Sequence, residues 1–248
     1  ESTGNSETQF EMLKKLELKT EDYRLLKEVC KEYKIEFLST AFDEESLAFL
    51  CDEVGIERLK IPSGDLTNTP LILEHAKTGL DIIVSTGMAT LSEIEDALGV
   101  IAFGYLTPNE RPSYEAFEKA LYSPEGQKVL QEKVCVLHCT TEYPAPAEEV
   151  NLSAMNSIKN AFGLRVGYSD HTKGIHIPIA AVALGAEVIE KHFTLDKNMA
   201  GPDHSASIEP DELKLMVDSI HDLNLALGDG VKRPTKSEVG NRAIARKS

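Results

Sequence analysis

The sequence predicts an α/β fold built on parallel strands, and three observations point to it. Short β-branched runs alternate with stretches of helical period, which gives parallel strands joined by right-handed crossovers. The runs are almost continuously apolar, as strands buried on both faces are. Each run also ends in polar or ionisable residues, while its start is apolar or plainly solvated. A (β/α) barrel carries its reacting groups at that end of its strands.

The strands are expected at residues 35–40 (IEFLST), 58–63 (RLKIPS), 81–86 (DIIVST), 134–140 (VCVLHCT), 165–170 (RVGYSD) and 187–194 (EVIEKHFT). Helices are expected at 20–33, 43–53, 70–78, 91–101, 152–161, 174–184 and 210–227. Thr20, followed by Glu21 and Asp22, reads as an N-cap with first-turn carboxylates, and Ser92 sits near another acidic start. Leu213, Met216, Val217, Ile220, Leu223 and Leu227 keep the helical period, with Gly228 as C-cap. Residues 1–19 hold no strand and are expected to be irregular. Residues 104–132, with Thr107, Pro108 and Pro112 before a helical stretch, read as an insertion ahead of the fourth strand. Six βα units fit either an open doubly wound sheet or an eight-unit barrel deprived of two strands, and periodicity leaves both open.

Composition narrows the function. The 248 residues carry 26 Lys+Arg against 41 Asp+Glu, a formal net charge of −15. That balance argues against docking on nucleic-acid phosphates or anionic lipid. No apolar run reaches the roughly 18 residues of a membrane span, and the polar start is no signal peptide. Cys135 and Cys139 fall four residues apart on one strand, about 13 Å at 3.3 Å per residue, beyond the ~7 Å a disulfide allows. Reduced, buried thiols and a cytoplasmic location are expected for all four cysteines.

The strand ends collect the chemistry. His171 and His192 close adjacent strands, and alternation puts Gly167, Ser169 and His171 on one face, as it does Val188, Glu190 and His192. Two imidazoles with nearby carboxylates suit a divalent metal with open positions; they equally suit hydrogen-bonded, loop-stabilising histidines. His75 and His221 are expected on helix surfaces, His176 at a helix start, and His138 packed at a strand end. Ser63-Gly64, Ser85-Thr86-Gly87 and Ser169, with Lys60 and Lys191, are suited to cradling a phosphate or carboxylate, although each such turn taken singly is usually only a turn. Lys60 and Ser63 reach one ligand only if the strand bends at Pro62. The loop 201–204 adds Asp203 and His204, although it equally reads as a solvated turn. An anion entering so acidic a protein needs focused positive potential in the cleft.

Seven motifs now stand in order: K-I-P-S-G-D (60–65), S-T-G-M-A-T (85–90), H-C-T-T-E-Y-P (138–144), V-N-L (150–152), G-Y-S-D-H (167–171), E-K-H-F-T-L-D (190–196) and G-P-D-H-S-A-S (201–207). Together they resemble the N-acetylneuraminate (sialic acid) synthase family, with its legionaminate, pseudaminate and spore-coat polysaccharide relatives. The resemblance implies a TIM-type (β/α)8 barrel, here truncated to about six βα units in one domain, 1–248. It implies condensation of phosphoenolpyruvate with an N-acetylmannosamine-type sugar and release of phosphate. On its motifs His171 and His192 are the implied ligands of a divalent ion, Mn²⁺ with Mg²⁺ or Co²⁺ as substitutes. Lys60, Ser63, Ser85 and Ser169 are implied phosphoenolpyruvate contacts, Tyr143 and Asp203 lie near the sugar, and Asp65 and Thr140 are further polar contacts. Lys60, Tyr143 and Asp203 carry the implied catalytic roles.

Three departures accompany the resemblance. The family's first two strands, with E-I-G-x-N-H-x-G and K-F-Q motifs supplying an acid and a lysine, are not found. Residues 228–248 read as the start of a linker to an antifreeze-like domain that is also not found. Thr140 stands where the family often has Asn. The chain is therefore expected to be part of a longer, homodimeric enzyme and to be weak or inactive by itself. Two other readings remain at this point: a phosphoenolpyruvate-condensing synthase that takes a phosphorylated sugar, and a non-catalytic carbohydrate-binding barrel.

Overall fold

The computed structural model describes residues 9–201 and 203–246. Its centre is a five-stranded, all-parallel sheet: β1 (Arg58–Ile61), β2 (Asp81–Ser85), β3 (Val134–Cys139), β4 (Arg165–Asp170) and β5 (Ile189–Lys191). The strands lie side by side in chain order. A doubly wound sheet reverses its order part-way across, so this is the progression of a barrel wall. Five strands are present among the described residues where six were expected.

The missing one is residues 35–40, which have no regular secondary structure and make no ladder with β1. They flank β1 through side chains: Glu36 pairs with Arg58 at 3.1 Å, and Phe37 turns inward against Tyr23. Ile35 remains 62% exposed, and a segment buried on so little of its surface does not gain what fixes a strand of a parallel sheet. β5 is also shorter than the expected 187–194. After Lys191 the chain leaves β4, and Phe193 forms a single parallel bridge with Ile208.

Helices α1 (Gln9–Leu16), α2 (Thr20–Glu32) and α3 (Glu44–Ala48) precede the sheet, the last running on as a π-helical turn over Phe49–Val54. The expectation of an irregular 1–19 is corrected by α1; residues 1–8 lie outside the described residues. The start of α2 is fixed by Asp22, whose carboxylate accepts the Lys19 N–H at 2.9 Å, and Thr20 is the first helical residue instead of the cap.

Between the strands run α4 (Thr69–Lys77), α5 (Leu91–Leu106), α6 (Tyr114–Tyr122), α7 (Pro124–Lys133), α8 (Ala154–Phe162) and α9 (His176–Ala183). α5 begins at a reciprocal cap in which Thr90 and Glu93 bond each other's main-chain N–H. Its Ile94, Leu98, Ile101 and Phe103 are buried, each contributing on the order of 1.5–3 kcal/mol by leaving water. Gly104 lets α5 approach α4, since a Cβ there would come within 2.5 Å of Ala76 Cβ. The expected insertion 104–132 proves to be the end of α5 followed by α6 and α7, which pack on α5; the Phe103 and Phe117 rings meet at 5.2 Å.

After β5 come α10 (Pro210–Leu227), which stops at Gly228 as expected, then α11 (Lys236–Val239) and α12 (Arg242–Ala245). Met216 is the buried residue of α10, whereas Val217 and Leu227 stay exposed. No described helix is long and apolar enough to cross a membrane. All four cysteines are free; Cys135 and Cys139 are buried, but Cys30 and Cys51 are only half-buried. Burial pushes the Cys135 thiol up to about 11.

Alternation gives the sheet two distinct faces. Leu59, Ile61, Ile82, Val84, Val134, Val136, Val166 and Tyr168 join the helices in the main core. Ile83, Cys135 and Leu137, with Val188 against them, form a small separate cluster on the other face. Gly167 shares that second face, where a Cβ would come within 2.5 Å of Leu137 and of the Val188 carbonyl. Lys60, Ser85, Ser169 and Glu190 have the same parity, so the strands carry them above this cluster at their C-terminal ends.

Candidate active site

A chain of polar contacts crosses the second face. Lys60 Nζ, on a side chain 9% exposed, stands 3.4 Å from Glu190 Oε2. Glu190 Oε1 accepts the Ser169 hydroxyl at 2.6 Å, and Ser169 Oγ lies 3.5 Å from His171 Nε2. The His171 and His192 ring centroids are 5.3 Å apart and edge-on at 79°. Asp203 Oδ2 faces His192 Nδ1 at 3.8 Å. Tyr143 covers both imidazoles, its ring centroid 4.2 Å from that of His171 and 5.1 Å from that of His192.

Each histidine is anchored by its surroundings. His171 Nδ1 lies 2.6 Å from the Thr140 carbonyl, and its own carbonyl accepts the Ala145 N–H. With Nδ1 donating to that carbonyl, Nε2 keeps its lone pair, the usual outer-shell arrangement for an imidazole that ligates. The His192 carbonyl accepts the Ile208 N–H at 2.9 Å. Burial holds the His192 imidazole below its ordinary pKa, reinforced by the charge of His171 and opposed by Asp203 and Glu190. Burial raises the Tyr143 phenol, with the charges of Cys139, Asp203 and Glu190 adding to it.

A second cluster sits where β1 and β2 end. The chain turns at Pro62 into a 3₁₀ turn, Ser63–Asp65, which is the bend that Lys60 and Ser63 require. Ser63 Oγ accepts the Gly87 N–H at 2.9 Å and lies 3.2 Å from Cys139 Sγ. A Cβ on Gly87 would fall 2.2 Å from Thr141 Oγ1, so any other residue there must displace the side chains around it. Ser85 Oγ is buried with no hydrogen-bond partner among the described residues. A buried hydroxyl without a partner is costly, and a ligand oxygen would satisfy it.

Lys191 and His75 depart from expectation. Lys191 is not an anion contact: its parity turns it to the helix side, where it is buried against Asp170 at 2.6 Å. The Thr140 side chain bonds the Glu149 carbonyl at 3.3 Å, while its main-chain oxygen lies 2.6 Å from His171 Nδ1. Asp65 accepts from Asn68 Nδ2 at 3.1 Å, next to the start of α4. His204 is tied to Thr194 at 2.8 Å. His75 is fully buried on α4 instead of lying at the surface, with Nδ1 2.8 Å from the Leu71 carbonyl. His138 is packed as expected, Nε2 on the Val150 carbonyl at 2.7 Å. The Lys60–Glu190 and Asp170–Lys191 pairs were not foreseen, although alternation carried from strand to strand puts the two members of each pair on one face.

Whether the imidazoles suit a metal is a matter of donor chemistry. Among the described residues no set of three or more His, Cys, Asp and Glu side chains converges on one cation position. The pair does present His171 Nε2, whose contact to Ser169 Oγ is long at 3.5 Å, together with a second ring within 5.3 Å and two nearby carboxylates. That fits an ion held by two protein ligands and completed by water and substrate.

Sequential parallel strands with hydroxyls, a lysine and paired imidazoles at their C-terminal ends define an α/β protein with a barrel-type, strand-end site. The profile of the NeuB family matches residues 1–232, and the chain belongs to that family. It is 51% identical over 247 residues to the N,N'-diacetyllegionaminic acid synthase of Campylobacter jejuni, covering 100% of this chain and 67% of that one. To the synthase of the same name from Legionella pneumophila it is 46% identical over 243 residues, covering 98% and 62%. The crystal structure of the N-acetylneuraminic acid (sialic acid) synthetase of Leptospira borgpetersenii, in complex with citrate, superposes with a TM-score of 0.77 at 35% identity, covering 99% of this chain and 78% of that one. The chain thus spans about two thirds of its curated relatives' length.

Proposed function

We propose that the chain forms the catalytic core of a nonulosonic (sialic-type) acid synthase that joins phosphoenolpyruvate to a 2-acetamido sugar of the N-acetylmannosamine class. The observation that carries the reading is the placement of Lys60, Ser169, Glu190, His171 and His192 on one sheet face within a single run of contacts. C3 of phosphoenolpyruvate bonds to the aldehyde carbon of the open-chain sugar, water adds at C2, and the C2–O bond breaks to release phosphate.

Lys60 and the Ser63, Ser85 and Ser169 hydroxyls bind the carboxylate and phosphate of phosphoenolpyruvate. An arriving anion takes Lys60 from Glu190 and supplies the partner that Ser85 Oγ lacks. Tyr143 and Asp203 border the sugar, with Tyr143 shielding the imidazoles from water. His171 and His192 are the side chains that would hold a divalent ion, Mn²⁺ in the first instance. When bound, that ion supplies Lewis-acid polarisation of the aldehyde oxygen. Lys60 stabilises charge where it develops near C2.

The full activity belongs, in this reading, to a homodimeric cytoplasmic protein of the relatives' length, with the barrel completed by further strands, and the 248-residue chain alone turns over weakly. The test is phosphate release from phosphoenolpyruvate, on this chain and on a chimera supplying the remaining parts from the Campylobacter relative. The chimera is expected to release phosphate with 2-acetamido sugars, to stop on chelation and to resume with Mn²⁺. Preference for arabinose 5-phosphate, or no release above the blank, would overturn the proposal.

A further inference from the structure

We infer that the buried pair Asp170–Lys191, on the face of the sheet away from the site, is a positioning device that sets the spacing of the two histidines. The inference rests on the proposed role of those histidines and deepens it. Asp170 immediately precedes His171, and Lys191 immediately precedes His192. The two residues are also register partners across β4 and β5, at the last rung of that ladder. Beyond that rung neither histidine belongs to a strand. The separation of the rings is therefore governed by whatever holds the rung in place.

The pair holds it from several sides. Lys191 Nζ donates to Asp170 Oδ2 at 2.6 Å and also to the Thr172 carbonyl. Asp170 Oδ1 accepts both the Thr172 N–H at 2.9 Å and the Thr172 hydroxyl at 2.8 Å. His171 is thus bracketed: the residues on either side of it are bound to one another and to the strand that carries His192. Asp170 is 0% exposed and the Lys191 side chain 4%. A buried ion pair is weak evidence for stability, because well-packed apolar residues of the same size commonly serve as well or better. What apolar residues would not supply is a directional link between these two strand ends.

The test is Mn²⁺ titration of the 248-residue chain by calorimetry, with melting temperature measured alongside and the ion alone as probe. Variants are Lys191→Met, Asp170→Glu and, as a reference, His171→Ala. Asp170→Glu keeps the charge and alters the reach by one methylene, so it serves if Lys191→Met does not fold. The expected result is a loss of Mn²⁺ affinity of about tenfold or more in a folded Lys191→Met or Asp170→Glu chain, comparable to the loss of an outer-shell contact. Wild-type affinity in folded variants, with His171→Ala defective, would overturn the positioning role alone. Equal Mn²⁺ binding by wild type and His171→Ala would overturn the reading of the site and this inference with it.

Discussion

His171 and His192 stand with ring centroids 5.3 Å apart although they lie 21 positions apart in the chain, because the final rung of β4 and β5 lies directly beneath both. One ring presents its edge to the other, and Tyr143 lies against both. Neighbouring polar groups extend this pair to Lys60 on one side and to Asp203 on the other.

Lys60→Met should weaken phosphoenolpyruvate binding by about tenfold or more, since a hydrogen bond to a charged group contributes roughly 1.5–3 kcal/mol. Stability should change little. The Glu190 left behind is 41% exposed and remains solvated, and ion pairs with an exposed partner contribute at most about 1 kcal/mol. Calorimetric titration with phosphoenolpyruvate checks this, and unchanged affinity would remove Lys60 from the site.

Gly87→Ala should damage the anion pocket more than the fold. The added methyl falls 2.8 Å from Cys139 Sγ and 2.9 Å from Ser63 Oγ, so the serine must move away from its bond to the residue 87 amide. Overpacking of this kind costs about 1–3 kcal/mol. The expected outcome is a modest drop in melting temperature with a clear loss of phosphoenolpyruvate affinity, and an unaltered affinity would show that Ser63 can shift freely.

His75 gives the protein an acid-side instability. Burial holds its imidazole below the ordinary value, with the Leu71 carbonyl and the charge of Asp65 opposing. The unfolded chain therefore takes up the proton first as pH falls. Stability from this source is complete above about pH 6.5 and declines below it. Urea midpoints measured from pH 8 to 5 should fall for the wild type, and fall less steeply for His75→Leu. His192, lowered in the same direction, supplies part of the remaining slope.

Phe103→Ala tests the core that the helices build behind the sheet. The ring is 2% exposed and packs edge-on against Phe117, so its loss should cost about 3–5 kcal/mol. Equilibrium unfolding measures it. A cost under about 1 kcal/mol would mean that α6 repacks on α5.

The sheet and the histidine pair were legible in the sequence because both rest on alternation. Four of the six expected strands match closely, since residues buried on both faces leave uninterrupted apolar runs. Residues 35–40 have the composition of a strand, but strand formation also requires a neighbour to pair with, which composition does not record. Ser63, Ser85 and Ser169 stand at strand ends that alternation marks, whereas Tyr143 is singled out only by its motif. Lys191 was misplaced because its charge was weighed without its parity. Asp170 received no role because its partner lies on another strand. His75 was placed at the surface because one polar residue on a helix gives no sign of which face is buried.

The most direct test of the account is an electron paramagnetic resonance titration of Mn²⁺ against the wild-type chain, His171→Ala and His192→Ala, each shown to be folded. The account predicts that one equivalent of ion loses its free-solution signal with the wild type and that each substitution abolishes this binding. Undiminished binding by both variants would contradict it.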